Sequence, residues 1–321
     1  MRFQFKRIVR PAIAMILGGS FGCFLSLYPA LRGAPNLPVI AFIPRTSGTN
    51  FTEDMRRGAF AAAKNSGYRI YWNAPTREDD LNRQIVLAET AVRRGAKAVI
   101  LGPTNIWGVT TMVNGFVAHK IPVVFVQTNP AEPTGRYLTF VTPNQTQIGA
   151  LAAQRIAGVT GGSGQVAIVG IDRGTPETLK RAQSFIQAIS AYPAIAVVAQ
   201  SSGAVQTLEA EQSARELVIT FPHLRAIFAV SADATQGAML ALQDLHASHK
   251  IALVGCDRDL FLQMNLSEGK FDSLVSADGY RIGYLAAEAA LAGVNDQPLP
   301  APQYVPAELL TQTDQEFSGS H

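Results

Sequence analysis

The stretch VIAFIPRTSGTNFTEDMRRGAFAAA, residues 39–63, contains the change of pattern that decides the fold. It begins with a short apolar run rich in β-branched residues and continues, after Pro44, through a small polar loop. A segment with helical spacing follows, and Phe51 stands where the loop gives way to this helix. A buried strand, a polar loop and a helix form the first half of a βαβ unit, so the stretch predicts a parallel sheet covered by helices.

The same alternation recurs along the chain in two series separated by TGGSG at 160–164. The first series predicts strands at 37–43, 68–73, 96–101, 121–126 and 137–141, with helices at 52–66, 79–94, 106–119 and 144–158. The second predicts strands at 165–170, 194–200, 225–230, 251–255 and 272–277, with helices at 176–190, 207–220, 235–247, 259–268 and 280–292. Two successive series of similar size predict two similar α/β lobes. One further apolar run, YVPAELL at 304–310, is predicted to return to the body as a last strand.

Charge separates the N-terminal segment from the body. Residues 1–34 hold five of the 27 basic side chains and no acidic one, which leaves 22 basic against 24 acidic residues in the body. A mildly acidic body without a Lys/Arg-rich run disfavours a nucleic-acid-binding surface. Because the 321-residue chain is 47% hydrophobic, it has enough apolar side chains for two cores.

Residues 1–34 have the layout of a signal peptide or an N-terminal membrane anchor. Four basic residues precede an uncharged stretch at 11–31 that is long enough to span a bilayer. The positive flank would stay in the cytoplasm, so the body is expected in the periplasm or elsewhere outside the cytoplasm. Three fates stay open: cleavage, lipidation at Cys23, or retention as an anchor.

The two cysteines and five histidines do not form a metal-binding pattern. Cys256 follows the apolar run KIALVG and is predicted to be a small core residue that does not pair with Cys23. His246 and His249 lie three residues apart, but no carboxylate or cysteine cluster completes a ligand set. We expect no metal and no cofactor.

Ligands of open α/β sheets bind at the carboxyl ends of the strands. In this chain the residues directly after the predicted strands are rich in Asn, Thr, Ser and Asp, and they include no His and no Lys. They occupy 44–51, 73–75, 102–105, 127–129, 170–175, 231–233, 256–259 and 277–280. Such a set suits hydrogen bonding to a polar ligand better than it suits catalysis.

The common catalytic patterns are missing from the sequence. RTSGTNF at 45–51 has one Gly and no Lys, so it lacks the parts of a phosphate-binding loop and of a dinucleotide fingerprint. No G-x-S-x-G elbow is present. GCDRD at 255–259 carries two carboxylates, but this spacing alone does not define an acid/base pair. We therefore predict a binding protein and not an enzyme.

Seven segments, taken in order, resemble the type I periplasmic binding proteins of the ribose-binding kind, which share their fold with the effector domains of LacI-type repressors. They are IAFIPRTSGTNFTEDMRRGAFAAAKNSGY (40–68), AVRRGAKAVILGPTN (91–105), KIPVVFVQTN (120–129), KRAQSFIQAI (180–189), LRAIFAVSADATQGAMLAL (224–242), KIALVGCDRD (250–259) and DGYRIGYLAAEAAL (278–291). The resemblance extends over 38–312. It implies an α/β protein with two Rossmann-like lobes, each with a parallel sheet, joined by a three-strand hinge.

The resemblance also implies the limits of the lobes. The N-terminal lobe is expected to comprise 38–142 plus 279–303, and the C-terminal lobe 143–278 plus 304–312. The chain should cross between the lobes near 141–144, 277–279 and 302–306, and residues 313–321 are expected to form a disordered tail.

Two residues match the ligand positions of the family best. Phe51 is expected to cover the apolar face of a sugar, although a helix-start residue packed in the core is the alternative. Asp257 follows IALVG, where the family carries an aspartate that accepts hydrogen bonds from sugar hydroxyls. The other expected ligand-binding residues are Thr49, Gln127, Thr128, Lys180, Ser231 and Asp278.

Several of these positions depart from the ribose binders. Gln127 and Thr128 replace an Asp-Arg pair, and the arginine expected after GIDRGTPE aligns with Leu179. Lys180 is our candidate for its place, with Arg181 or Arg173 as alternatives. Asp233 has a second interpretation as the N-cap of the helix at 235–247.

The implied function is that of an exported solute-binding protein, which captures a small sugar or sugar-like ligand and delivers it to an ABC transporter. The alternative is a ligand-sensing module of the same fold that signals to a membrane kinase or chemoreceptor, or an autoinducer-type binder. The expected partners are a small sugar-like ligand and an ABC permease or membrane receptor. We expect a monomer that binds no nucleic acid and touches the membrane only through its N-terminal segment.

Overall fold

The computed structural model describes residues 37–77, 80–130, 133–172, 175–204 and 206–316. The predicted leader at 1–34 with Cys23, Arg173, and residues 317–321 of the predicted tail lie outside the described residues. In the described ranges, no helix combines the length and the apolarity that a bilayer crossing requires.

Twelve strands and ten helices alternate along the described chain. In chain order they are β1 Val39–Ile43, α1 Asn50–Ala63, β2 Arg69–Trp72, α2 Leu81–Arg93, β3 Ala98–Leu101, α3 Thr110–Ala118, β4 Val123–Val126, β5 Leu138–Pro143, α4 Gln145–Thr160, β6 Gly164–Ile171, α5 Pro176–Ile189, β7 Ile195–Ser202, α6 Thr207–Thr220, β8 Leu224–Ala229, α7 Ala232–Asp244, β9 Ala252–Cys256, α8 Leu260–Ser267, β10 Ser273–Ala277, α9 Gly279–Val294, β11 Gln303–Val305, β12 Ala307–Thr311 and α10 Gln312–Glu316.

The strands form two six-stranded sheets with matching orders. The first runs β11-β5-β4-β3-β1-β2 with parallel neighbours throughout, and the second runs β12-β10-β9-β8-β6-β7. Only the pairing of β12 with β10 is antiparallel among the pairs described for the second sheet. The predicted fold class, two α/β lobes with mainly parallel sheets, is confirmed.

Both faces of each sheet are covered, which explains the continuous apolar strands. Along β1, Ile40 and Phe42 join one buried cluster while Ala41 and Ile43 join another on the opposite face. The second sheet repeats the arrangement, since neighbouring residues of β6 alternate between its two buried clusters. A parallel strand buried on both sides carries apolar residues at every position, as this sequence does.

Helices α1 and α9 pack closely because a glycine on each helix faces the backbone of the other. A Cβ atom at Gly58 would collide with the carbonyl oxygen of Tyr280, and one at Gly283 would collide with that of Met55. Helix α9 also packs against β3, β4 and β5, so it belongs to the first sheet although it follows all parallel strands of the second.

The end of the chain differs from the prediction. The run YVPAELL is not one strand: it divides at Pro306 into β11 in the first sheet and β12 in the second. Tyr304 and Val305 pair with β5, so their assignment to the C-terminal lobe was wrong. Proline has no N–H to donate, which favours the break at this position. Residues 312–316 form the short helix α10, so the expectation of a disordered tail from 313 was wrong for 313–316.

The chain passes between the two sheets three times. It leaves the first sheet after β5, returns after β10, and crosses again at Pro306. Two of these crossings are bonded to each other: the backbone N–H of Asn144 donates to the carbonyl of Val305 at 2.9 Å, and that of Ala307 donates to Oε1 of Gln147 at 3.0 Å. That the crossings act as hinges stays a prediction.

Candidate ligand-binding site

The strand order of each sheet reverses at one place, between β1 and β3 in the first sheet and between β6 and β8 in the second. At such a place the loops after the two strands run in opposite directions and leave a crevice. The segment 44–49 after β1 and the start of α5 after β6 lie at these two reversals.

Gln84 ties the ends of β1 and β3 together. It is fully buried on α2, and its Nε2 donates to the carbonyls of Pro44 at 3.2 Å and Gly102 at 2.8 Å. Its Oε1 accepts from the backbone N–H of Thr104 at 2.9 Å. All three polar positions of the amide are therefore used to fix the floor of the crevice. We did not predict this residue from the sequence.

Arg45 joins the loop after β1 to the second lobe. Its backbone N–H donates to Oε1 of Gln127 at 3.2 Å, and its Nε donates to the carbonyl of Pro103 at 3.1 Å. One terminal nitrogen forms an ion pair with Oε1 of Glu177 on α5 at 2.8 Å, and both side chains are largely buried. The carboxyl-end loops of the two sheets thus meet at this ion pair, which the sequence analysis missed.

Arg181 and Asp257 form a second ion pair at the site, and its guanidinium is almost completely buried. The Arg181 guanidinium donates to both carboxylate oxygens of Asp257, at 2.8 and 2.9 Å. It also donates to Oε1 of Gln145 at 2.6 Å and to the carbonyl of Val230 at 2.9 Å. Four of its five N–H groups are therefore bonded to described residues. Burial lowers the pKa of Arg181, but the Asp257 carboxylate raises it, and the net pKa lies above the ordinary range.

The Asp257 carboxylate is rigid yet accessible. Its side chain is 32% exposed, against 6% for Arg181, so one edge of the pair faces out of the protein. Asp257 has a left-handed backbone with φ of 64°, and Gln127 has φ of 70°. Each residue directly follows the fourth strand of its lobe, β9 and β4 respectively. Such backbone conformations are costly for residues other than glycine and cluster at ligand sites.

Arg181, one of the two alternatives to Lys180, lies on the buried face of α5. Lys180 is exposed, whereas Thr178, Arg181 and Phe185 belong to the buried face of α5. The exposed position of Lys180 disfavours it as the expected arginine, and a ligand-binding role for Arg181 stays a prediction. The helical spacing of apolar residues along 176–190 is the signal that could have separated the two.

Three of the predicted ligand residues act as helix N-caps. The side-chain oxygens of Thr49, Ser231 and Asp278 accept from the backbone N–H three residues ahead, at 3.1 to 3.2 Å. The cap of α7 is therefore Ser231, so the interpretation of Asp233 as that cap was wrong. Asp233 lies in the first turn and accepts from the hydroxyl of Thr207 at 2.9 Å.

Phe51 and Thr128 occupy more enclosed positions. Phe51 is partly buried against the core of the first lobe, and a Cβ atom at Gly279 would lie 3.1 Å from its Cδ2. Thr128 is buried directly after Gln127. The placement of Phe51 is compatible with both interpretations of this residue, as a ligand contact and as a packed helix start.

The neighbours of Asp257 along the chain are not suited to catalysis. Cys256 is buried, as predicted, and burial raises the pKa of its thiol to about 12. Asp259 caps α8, and burial together with the charges of Asp233 and Asp257 raises its pKa. Among the described residues, no group of His, Cys, Asp and Glu is arranged to hold a metal ion.

Three buried side-chain atoms have no hydrogen-bond partner within the described part of the chain. They are Oγ1 of Thr104, Oε2 of Glu177 and Nε of Arg258. Thr104 follows β3, Glu177 opens the helix after β6, and Arg258 follows β9. Native proteins pair nearly all buried polar groups, so unpaired atoms gathered at strand ends point to a ligand that would complete them.

Two α/β lobes with mainly parallel sheets, whose strand-end loops meet at an ion pair, are the architecture of two-lobed binding proteins. The chain belongs to the periplasmic binding protein domain family, which matches it over residues 40–298. This membership places the body outside the cytoplasm and confirms the prediction of a binding protein and not an enzyme.

Relatives with assigned names are similar over most of their length. The chain is 24% identical to the ribose import binding protein of Bacillus subtilis over 245 residues, which cover 76% of this chain and 78% of that protein. It is 25% identical to the D-apiose import binding protein of Actinobacillus succinogenes over 232 residues, 72% of this chain and 73% of that one.

Solved structures share the fold at low identity. An ABC transporter solute-binding protein from Agrobacterium vitis with bound α-D-tagatopyranose is similar with a TM-score of 0.79 and 20% identity, over 86% of this chain and 95% of that one. A periplasmic solute-binding protein from Actinobacillus succinogenes with bound D-allose is similar with a TM-score of 0.79 and 22% identity. The match covers 87% of this chain and 99% of that chain.

Proposed function

We propose that this protein captures a small neutral sugar, or a polyol of similar size, between its two lobes and delivers it to an ABC transporter. The observation that carries the proposal is the Arg181–Asp257 pair. The guanidinium holds both carboxylate oxygens in place, while the partly exposed edge of Asp257 remains open to a hydroxyl donor. A carboxylate fixed in this way accepts hydrogen bonds without losing side-chain entropy on binding.

The residues around this pair have the chemistry that a sugar requires. A sugar has a rim of hydroxyls and a face of C–H groups, and Phe51 is the aromatic candidate for covering that face. Polar groups expected at the rim are Thr49, Gln127, Thr128, Ser231 and Asp278. The Oε1 of Gln127 already accepts from the backbone N–H of Arg45, so its side-chain amide N–H groups are its candidates for hydrogen bonding to the sugar.

The names of the relatives support transport. The matched proteins of Bacillus subtilis and Actinobacillus succinogenes are import binding proteins for ribose and D-apiose. A sensing module or an autoinducer-type binder is not favoured by these relatives. The transport partner is an ABC permease, and the protein acts as a monomer. The N-terminal segment directs export, with its cleavage, lipidation or retention as an anchor still open.

Calorimetry with D-ribose, D-allose, D-tagatose and myo-inositol tests the proposal. We expect the wild-type protein to bind at least one of them, and Asp257→Ala to weaken that binding by about 100-fold or more, because a charge-assisted hydrogen bond is lost and Arg181 is left unpaired. Asp272→Ala is the matched control, since Asp272 forms a similar two-bond pair with Arg155 at 2.7 and 2.8 Å in the same lobe.

The control should bind the sugar as the wild type does. A thermal shift with nucleotides and with none of the four sugars would contradict the proposal. Equal losses of affinity in Asp257→Ala and Asp272→Ala would remove Asp257 from the site.

A further inference from the structure

Glu177 has an unused oxygen in a buried position. The residue is 8% exposed at the start of α5, and its Oε1 accepts from Arg45 at 2.8 Å. Its Oε2 is buried and accepts no hydrogen bond from any described residue. Half of a buried carboxylate is therefore left without the partner that such a group normally has.

We propose that Glu177 is a ligand-binding residue that determines specificity, with its Oε2 accepting a hydrogen bond from one hydroxyl of the bound sugar. This inference rests on the proposed sugar-binding function and deepens it. It adds to the site a residue that lies outside the set predicted from the sequence.

The position of Glu177 favours a ligand partner. Glu177 follows β6 at the strand reversal of the second sheet, and Arg45 follows β1 at the reversal of the first. Arg45 also donates to the carbonyl of Pro103, the residue before Thr104, whose Oγ1 is likewise buried and unpaired. One unpaired oxygen therefore belongs to the ion pair where the lobes meet, and a second belongs to the residue next to a carbonyl that Arg45 binds.

The charges select the kind of ligand group. A carboxylate oxygen only accepts, so its partner must be an O–H or an N–H donor. The Arg45 guanidinium lies 2.8 Å from the other oxygen and already balances the charge of Glu177. An ammonium group would be repelled by Arg45, whereas a hydroxyl brings a donor without a net charge. A neutral polyhydroxylated ligand fits this combination.

The test uses the full-length protein and the sugar that the wild type binds among D-ribose, D-allose, D-tagatose and myo-inositol. Glu177→Gln keeps the shape of the side chain, and with its carbonyl oxygen on Arg45 it places an N–H where the carboxylate accepted. We expect calorimetry to show binding of that sugar weakened by about 10- to 100-fold.

Monodeoxy analogues of the same sugar identify the contact. One analogue lacks the hydroxyl that donates to Oε2. The wild type should bind this analogue about 10- to 100-fold more weakly than it binds the parent sugar, because the hydrogen bond is lost. Glu177→Gln should bind this analogue and the parent within about threefold of each other, since the variant no longer reads that hydroxyl. Glu177→Asp, which keeps the charge but shortens the reach, should show the same loss of discrimination.

Two controls separate contact from lobe geometry. Arg45→Met breaks the ion pair and leaves Glu177 in place, so its preference for the parent sugar over the analogue should persist even where its overall affinity falls. Glu211→Gln removes a carboxylate that pairs with Arg215 on α6, and its affinities should equal those of the wild type.

Equal losses for the parent and every analogue in Glu177→Gln would overturn the inference, because Glu177 would then act only on structure. Wild-type affinity in that variant would overturn it as well. A wild type that binds none of the sugars contradicts the proposed function itself, and the inference falls with it. In the remaining case the wild type binds a sugar, and Glu177→Gln still distinguishes the parent sugar from the analogue as the wild type does. This result would overturn the inference about Glu177 and leave the proposed function standing.

Discussion

Arg181 shows how one side chain can hold several elements at a site. Its guanidinium bonds α4 through Gln145, the end of β8 through Val230 and the end of β9 through Asp257. A buried charge of this kind is stable only while its partners are present, and loss of one partner typically costs about 3 kcal/mol or more. We therefore expect substitutions at Asp257 to lower the free energy of unfolding in addition to any effect on the proposed ligand binding.

Cys256, directly before Asp257, provides a chemical probe of the folded site. Burial raises the pKa of its thiol to about 12 and also keeps reagents away, so the reactive thiolate is scarce at pH 8. In a Cys23→Ser variant, Cys256 is the only cysteine of the chain. We expect an aromatic disulfide reagent to leave the native protein unlabelled at pH 8 and to label one thiol per chain in denaturant. Rapid labelling of the native protein would contradict the buried placement.

The sequence singled out part of the candidate site, and physical reasons account for the rest. Asp257 was singled out because it follows a strong apolar run, which marks a strand end, and because it matches a ligand position of the resembled family; its role stays a prediction. Arg45, Gln84 and Glu177 were missed because their roles depend on partners far away in the chain, such as the Arg45–Glu177 pair 132 residues apart. Local patterns contain no information about such pairs. The helical spacing of apolar residues in α5, by contrast, does predict that Arg181 is buried and that Lys180 is exposed.

At the scale of elements, α1 and α9 have the closest fit described for the first lobe. Gly58 and Gly283 face the backbone of the opposite helix, where any Cβ atom would meet a carbonyl oxygen. Backbone atoms cannot rotate away as a side chain can, so a larger residue must push the helices apart. Phe51 lies next to this helix contact, because it belongs to the first turn of α1 and adjoins Gly279 at the start of α9.

We predict that Gly283→Ala lowers the free energy of unfolding by about 2 kcal/mol or more, through overpacking between α1 and α9. Gly115→Ala is the matched control, because Gly115 lies inside α3 with no atom within 4 Å of an added Cβ. This control should stabilise the protein by up to about 1 kcal/mol, since alanine favours helices. Urea unfolding measures both, and equal effects of the two substitutions would refute the packing argument.

Most elements were predictable because both sheets are buried on both faces, so each strand reads as an apolar run. Boundaries were less certain where a helix begins in a polar loop, and the helix predicted at 235–247 was found at 232–244 as α7. The last strands were the main error. Nothing in YVPAELL itself shows that its halves join different sheets; only the proline marks the break.

At the scale of the whole molecule, the Arg45–Glu177 pair bridges the two lobes at their carboxyl-end loops. A ligand that contacts both lobes would favour the closed arrangement by its own binding free energy. If the crossings act as hinges, we expect the ion pair to supply part of that preference before any ligand arrives. Residues at the pair would then influence affinity through closure.

We predict that Arg45→Met increases the radius of gyration of the ligand-free protein in X-ray scattering, because the lobes lose their bridge. Saturation with the sugar that the wild type binds should restore the wild-type value. Arg215→Met is the control, since its partners Asp244 and Glu211 lie in the same lobe as Arg215. Ligand-free curves that superpose for wild type and Arg45→Met would show that this pair does not hold the lobes together.

The split at Pro306 has a consequence for how the protein is made. Helix α9 and strand β11 complete the first lobe, yet they are synthesised after all parallel strands of the second. A chain that emerges from the ribosome with its N-terminus first cannot finish either lobe until its last few residues appear. Domains generally fold as units, so the last steps of folding in both lobes must follow the synthesis of these two short strands.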